Sequence, residues 1–135
     1  MDMKIDKRWL YFTPALLYCG LIFFLSGRSL KLKFGLLLWD KGAHWLEFVV
    51  LGFLLALGFF YNLPGKPFLR AYLTAMTGFF IGAVDELHQS LVPGRQCDWK
   101  DWLADIIGVV VGLAIFWLLY LKKDQRSAGD RRPAS

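Results

Sequence analysis

The chain has 135 residues, enough for one domain, and 56% of them are hydrophobic while 20% are charged. The net charge is +5, but the basic residues lie in segments between long apolar runs, which argues against nucleic-acid binding. The composition therefore indicates an integral membrane protein and excludes an ordinary soluble domain.

Four apolar runs follow one another, each close to the roughly 20 residues that a helix needs to cross the hydrocarbon core. None alternates in polarity as barrel strands do, and none has the polar face of a half-buried helix. The predicted fold class is therefore all-α: a polytopic membrane protein whose single domain, residues 1–121, is a bundle of four transmembrane helices. The predicted spans are residues 9–26, 42–61, 69–89 and 102–121. Residues 122–135 are charged and poor in apolar side chains, and we expect a disordered tail there.

The distribution of Lys and Arg predicts the orientation in the membrane. Ten of these residues fall on the side that holds both termini and the connection between the second and third spans, and six fall on the other side. Because Lys and Arg are enriched on the cytoplasmic side of membrane proteins, we expect both termini to be cytoplasmic.

Unusual polar residues are concentrated at the non-cytoplasmic ends of the second, third and fourth spans. Steps of three and four residues place them on one face of each helix, with small residues deeper in the membrane that allow close packing. We therefore predict an outward-facing polar cup above packing contacts made by Gly52, Gly78, Gly82, Gly108 and Gly112.

Ionisable groups in membrane helices are costly and usually mark a site, so we predict that the cup binds a ligand. The candidate ligand-binding residues are Lys41, His44, Glu47, Asp85, Glu86, Gln89, Arg95, Asp101 and Asp105. The basic residues Lys41, Arg95 and Lys100 would balance the carboxylates. A simpler alternative is that Asp85 and Glu86 only lock the helices together. A contact from His88 is left open.

Acid–base catalysis is an alternative use of the same residues. Asp85 or Glu86 would act as general base or nucleophile and His44 as the acid–base partner. Carboxylates and histidine can also hold a divalent ion, but no recognised ligand spacing occurs, so we assign no metal ligand and no cofactor. A transporter is a third alternative, which the absence of a visible inverted repeat in the sequence disfavours.

Several weak motifs occur together and in order between residues 26 and 116. They are Lys41-x-x-His44-x-x-x-Phe48, Asp85-Glu86-x-x-Gln89, Pro93-Gly94-Arg95, and Asp101 followed by Gly108-x-x-x-Gly112. In combination they resemble the VanZ-like family, small bacterial membrane proteins named for a glycopeptide (teicoplanin) resistance factor. Asp105 departs from the pattern, since many relatives have Asn there, and it adds a carboxylate to the cup.

The resemblance implies a multi-pass protein of the bacterial cytoplasmic (inner) membrane with a role in the cell envelope or in antibiotic resistance. The implied partners are membrane lipids and a lipid-linked cell-wall precursor or glycopeptide. The resemblance implies neither a defined reaction nor an oligomeric state.

Overall fold

The computed structural model describes residues 7–27, 37–93 and 98–130, and every secondary-structure element in these ranges is a helix. A short 3₁₀ helix leads directly into the first α-helix, and three longer helices follow. The elements are the 3₁₀ helix Lys7–Phe12, α1 Thr13–Ser26, α2 Leu37–Asn62, α3 Pro67–Ser90 and α4 Trp99–Asp130. The predicted all-α fold class is confirmed.

Four helical segments are long and apolar enough to cross a membrane, and each overlaps one predicted span. They are Trp9–Ser26, His44–Asn62, Pro67–Ser90 and Trp99–Arg126. The chain is therefore a multi-pass membrane protein. α4 continues to Asp130, so most of the segment that we expected to be disordered is helical.

The local sequence explains where the helices begin and how the chain turns. Pro14 and Pro67 lie in the first turns of α1 and α3, where a helix does not need the missing N–H. The connection between α2 and α3 contains Gly65 with a φ of +123°, a conformation that other residues rarely adopt. Asp98 precedes α4, and its Oδ1 accepts the backbone N–H of Lys100 at 3.0 Å, as an N-cap side chain does.

α2 and α4 make the most extensive contact in the bundle. A methyl group added to Gly52 of α2 would collide with the backbone carbonyl of Val109. A methyl group added to Gly112 of α4 would collide in the same way with the backbone carbonyl of Val49. The two backbones therefore touch at this crossing, and glycine is needed on both sides of it.

Three further glycines lie where α3 and the polar end of α4 pack against neighbouring helices. A methyl group on Gly78 of α3 would lie 2.5 Å from Cγ1 of Val109, and one on Gly82 would lie 3.4 Å from Cβ of Asp105. A methyl group on Gly108 of α4 would lie 2.7 Å from a backbone oxygen of α2. All five glycines assigned to helix packing thus lie at contacts between helices.

The interior of the bundle has two apolar layers. The layer nearer the polar helix ends contains Ala15, Ile22, Phe48, Leu51, Leu55 and Val109. The second layer is largely aromatic and is centred on Phe60 and Phe116, whose rings lie 5.1 Å apart. The first layer therefore separates the aromatic end of the bundle from the polar end, where the candidate site lies.

Candidate functional site

A hydrogen-bonded carboxylate joins α1 to α3 at the polar end of the bundle. Asp85 is completely buried, and its Oδ1 accepts a hydrogen bond of 2.7 Å from the hydroxyl of Ser26, the last residue of α1. Its Oδ2 accepts a second bond, also 2.7 Å, from Nε2 of Gln89, one turn further along α3. Both oxygens of Asp85 are thus satisfied by side chains, as an interhelical lock requires.

The next carboxylate along α3 contacts the beginning of α4. Glu86 is 4% exposed, and its Oε2 accepts the backbone N–H of Asp98 at 3.1 Å. Asp98 is the residue whose side chain caps α4, so this bond fixes the start of α4 beside the end of α3. Asp85 bonds to α1, and the adjacent Glu86 bonds to the residue that precedes α4, so α3 is attached to both helices through neighbouring carboxylates.

Asp105 lies one turn beyond Asp101 on α4 and is almost completely buried. It is 1% exposed, and neither of its carboxylate oxygens has a hydrogen-bond partner among the residues that the structure describes. The carboxylates that act on it come from three helices: Glu86 and Asp85 of α3, Asp101 of α4 and Glu47 of α2. The site therefore collects acidic groups around one carboxyl that lacks described donors.

His44 and Glu47 form the contribution of α2. His44 Nδ1 lies 3.8 Å from Glu47 Oε2, and the two side chains are 13% and 28% exposed. Tyr18 of α1 also lies within electrostatic range of Glu47. This pair is less buried than Asp85, Glu86 and Asp105, so it lies on the accessible side of the cluster.

His88 packs against the end of α1. Its ring meets that of Phe23 edge-on at a centroid distance of 5.8 Å. A methyl group on Gly27 would lie 3.2 Å from its Cε1. His88 therefore helps to seat α1 on α3, beside the Ser26–Asp85 bond.

Most of the residues predicted to form the cup come together. We use the term acidic site for the five carboxylates Glu47, Asp85, Glu86, Asp101 and Asp105. His44 contacts this site through Glu47, and Gln89 contacts it through Asp85. Of the three basic residues predicted to balance the charge, Lys100 is exposed, whereas the side chain of Lys41 and the whole of Arg95 lie outside the described residues.

Two residues that the sequence did not single out belong to this region. Ser26 donates a hydrogen bond to Asp85. The feature of the sequence that could have identified it is a hydroxyl at the polar end of an apolar span. Trp102 of α4 is the second of these residues. Its Cδ1 lies 3.2 Å from a methyl position on Gly82, and its indole N–H donates to the carbonyl of Phe79 at 3.3 Å.

The described part of the site is rich in hydrogen-bond acceptors and poor in donors. Carboxylates accept hydrogen bonds and attract cations, so the arrangement suits a ligand that brings hydroxyl, amide or ammonium donors. Within residues 7–27, 37–93 and 98–130, no group of three His, Cys, Asp or Glu side chains is arranged to hold a metal ion.

Comparison with known families agrees with this architecture. The family model described as VanZ/LLP1 matches residues 8–120, a range that begins at the first membrane span and reaches into the last one. No curated protein and no solved structure matches the chain. The match contains all the residues of the acidic site and all five packing glycines, and the resemblance seen in the sequence motifs is confirmed. The chain belongs to the VanZ/LLP1 family.

Proposed function

We propose that this protein binds the polar head of an envelope amphiphile at the acidic site, on the outer side of the bacterial cytoplasmic membrane. The ligand is a membrane lipid, a lipid-linked cell-wall precursor or a glycopeptide antibiotic. Binding of such a molecule would give the protein a role in the cell envelope and in tolerance of antibiotics that act there.

The observation that carries this proposal is the environment of Asp105. A buried carboxyl without hydrogen-bond donors costs about 1–3 kcal/mol, and more when it is charged. Asp105 has such a carboxyl, and four further carboxylates act on it. A structural lock needs one or two carboxylates with partners, as Asp85 has, and does not explain a fifth acidic group. A ligand with donors does explain it.

The position of the site fits an amphiphile. The acidic residues lie at the ends of membrane helices, so a head group can reach them while an attached acyl or polyprenyl chain stays among the lipid tails. Glu47, with a side chain 28% exposed, provides the accessible side. The excess of Lys and Arg on the opposite side of the membrane supports an outward orientation.

A binding experiment in lipid nanodiscs tests the proposal. The probes are teicoplanin, an undecaprenyl-linked disaccharide-pentapeptide precursor of the cell wall and phosphatidylethanolamine, each titrated against wild-type protein and against Glu47→Gln and Asp101→Asn. Loss of a charged contact is expected to weaken binding of at least one probe about tenfold. Asp124→Asn is the matched control, because Asp124 is an exposed acid on the same helix but at its far end.

Two results would contradict the proposal. One is failure of wild-type protein to bind any of the three probes, and the other is an equal loss of affinity in Asp124→Asn. In cells, deletion of the gene should also lower the minimum inhibitory concentration of teicoplanin or of another envelope-directed agent. An unchanged response to every such agent would count against the role in the envelope.

A hydrolase or transferase acting on a lipid-linked substrate is the second candidate. The observation that favours it is the partly exposed His44–Glu47 pair, whose nitrogen and oxygen lie 3.8 Å apart and can tighten when substrate binds. Turnover of labelled lipid-linked precursor by purified protein, lost in His44→Ala and in Asp85→Asn, is the expected result. Turnover that persists in both variants would remove these residues from any reaction.

A further inference from the structure

Asp105 differs from the other acidic residues in what surrounds its oxygens. Asp85 accepts hydrogen bonds from Ser26 and Gln89, and Glu86 accepts one from the backbone of Asp98. Both oxygens of Asp105 are buried and lack a hydrogen-bond partner in the described part of the chain. Two acceptor atoms are thus already in place for a donor that comes from outside the described protein.

The charges facing Asp105 define the sign of that donor. Glu47 faces it from α2, Asp85 and Glu86 from α3, and Asp101 from its own helix. Among the described groups, every charge that acts on Asp105 is acidic. These four carboxylates each contribute a negative potential at Asp105, and a negative potential favours a cation over a neutral hydroxyl or amide.

The apolar surroundings define the size and shape of the cation. The Trp102 and Phe48 rings and Cβ of Asp105 all lie within 3.4 Å of the same methyl position on Gly82. Packing beside Asp105 is thus close. A primary ammonium group on methylene carbons is smaller than a quaternary head and has three donors, so it would displace less of this packing. The rings offer an apolar wall for the methylene groups.

We infer that Asp105 makes this protein select amphiphiles that carry a protonated primary amine, with the ammonium group donating to the two carboxylate oxygens. This inference rests on the proposed function, because it assigns the ligand class of the same site. An aminophospholipid and an amine-bearing glycopeptide share the required chemistry, and separate arms of one experiment distinguish them.

The experiment compares each amine with its N-acetylated form, which keeps the rest of the molecule but has no charge on nitrogen. One arm uses phosphatidylethanolamine and N-acetyl phosphatidylethanolamine in nanodiscs, with lipid retention measured by native mass spectrometry. The other uses teicoplanin and N-acetyl teicoplanin, with affinity measured by titration. Wild type is compared with Asp105→Asn and with the exposed control Asp124→Asn.

Wild type is expected to bind the amine about tenfold more tightly than the acetylated form in one arm, because a charge-assisted hydrogen bond contributes about that much to affinity. The preference should disappear in Asp105→Asn and persist in Asp124→Asn. The arm that shows it identifies the source of the amine.

Equal affinity of wild type for both members of each pair would overturn the inference while leaving the proposed function intact. The same holds if Asp105→Asn keeps the wild-type preference. If wild type binds neither member of either pair, nor the undecaprenyl-linked disaccharide-pentapeptide precursor, the proposed function itself fails. The comparison of probes in wild type needs no variant, so it remains decisive even if Asp105→Asn is poorly expressed.

Discussion

The hydroxyl of Ser26 donates a 2.7 Å hydrogen bond to Oδ1 of Asp85, across 59 residues of sequence and between two different helices. Both residues are buried, at 3% and 0% exposure. α1 has fewer contacts with the bundle than α2, α3 and α4 have with one another. This single bond is therefore an important attachment of α1 at the polar end.

Replacing Ser26 by Ala should loosen that attachment. The change removes the donor and leaves Oδ1 of Asp85 buried with one partner fewer, at a cost of about 1 kcal/mol in a membrane bundle. The expected result is a lower thermal unfolding temperature in detergent. Ser90→Ala is the control, because Ser90 is exposed and bonds only to a carbonyl of its own helix. An equal loss in both variants would show that the Ser26–Asp85 bond contributes nothing specific.

Replacing Gly112 by Ala should separate α2 from α4. The added methyl group would collide with the backbone carbonyl of Val49, and overpacking of this kind destabilises by about 1–3 kcal/mol or more. The loss should appear in unfolding of the purified protein and in its abundance in the membrane. Gly20→Ala is the matched control, since nothing lies within 4 Å of that position in α1. A stable Gly112→Ala protein would contradict the backbone contact described here.

Asp105→Asn should make the ligand-free protein more stable. The amide has nearly the shape of the carboxyl, cannot ionise, and adds N–H donors that the four neighbouring carboxylates can accept, at little cost in packing. We expect a rise in unfolding temperature corresponding to about 1 kcal/mol or more. A fall in stability would indicate instead that the carboxyl has a stabilising partner. A rise in stability together with a loss of amine selectivity would show that the wild-type carboxyl serves function at a cost in stability.

The orientation is testable by thiol labelling in a cysteine-free background. Lys100→Cys lies at the beginning of α4, on the expected outer side, and Arg126→Cys lies at the opposite end of the same helix. A membrane-impermeant maleimide should label the first in intact cells and the second only after lysis. The reverse pattern would place the acidic site on the cytoplasmic side.

The four spans could be predicted from the sequence because long apolar runs have few other uses. The faces of α2, α3 and α4 could also be predicted, since steps of three and four residues define a stripe on each helix. Such spacing does not say which stripe faces which helix. That is why the contact of Gly52 with Val109, and the bond from Ser26 to Asp85, appear only in the structure.

The end of α4 shows a different limit of the same reasoning. Residues 122–130 are charged, and composition alone predicts disorder for them. In the structure they continue the helix for nine residues past Leu121. Near the start of this extension, Lys123 Nζ lies 3.3 Å from the hydroxyl of Tyr61. A helix that is already formed can extend into polar sequence without a new nucleation step, a cooperative effect that residue-by-residue composition does not contain.

The contact between α2 and α4 has a consequence for biosynthesis. The ribosome makes α3, with Asp85 and Glu86, before the helix that completes their surroundings exists. Ser26 precedes Asp85 and Gln89 follows it by one turn, so both can bond to Asp85 as soon as α3 is made. The bond between Glu86 and Asp98 and the contact between Gly52 and Val109 form only after the later segment has been made. A nascent chain that has not yet made its fourth helix therefore lacks both the bond from Asp98 to Glu86 and the backbone contact at Gly52.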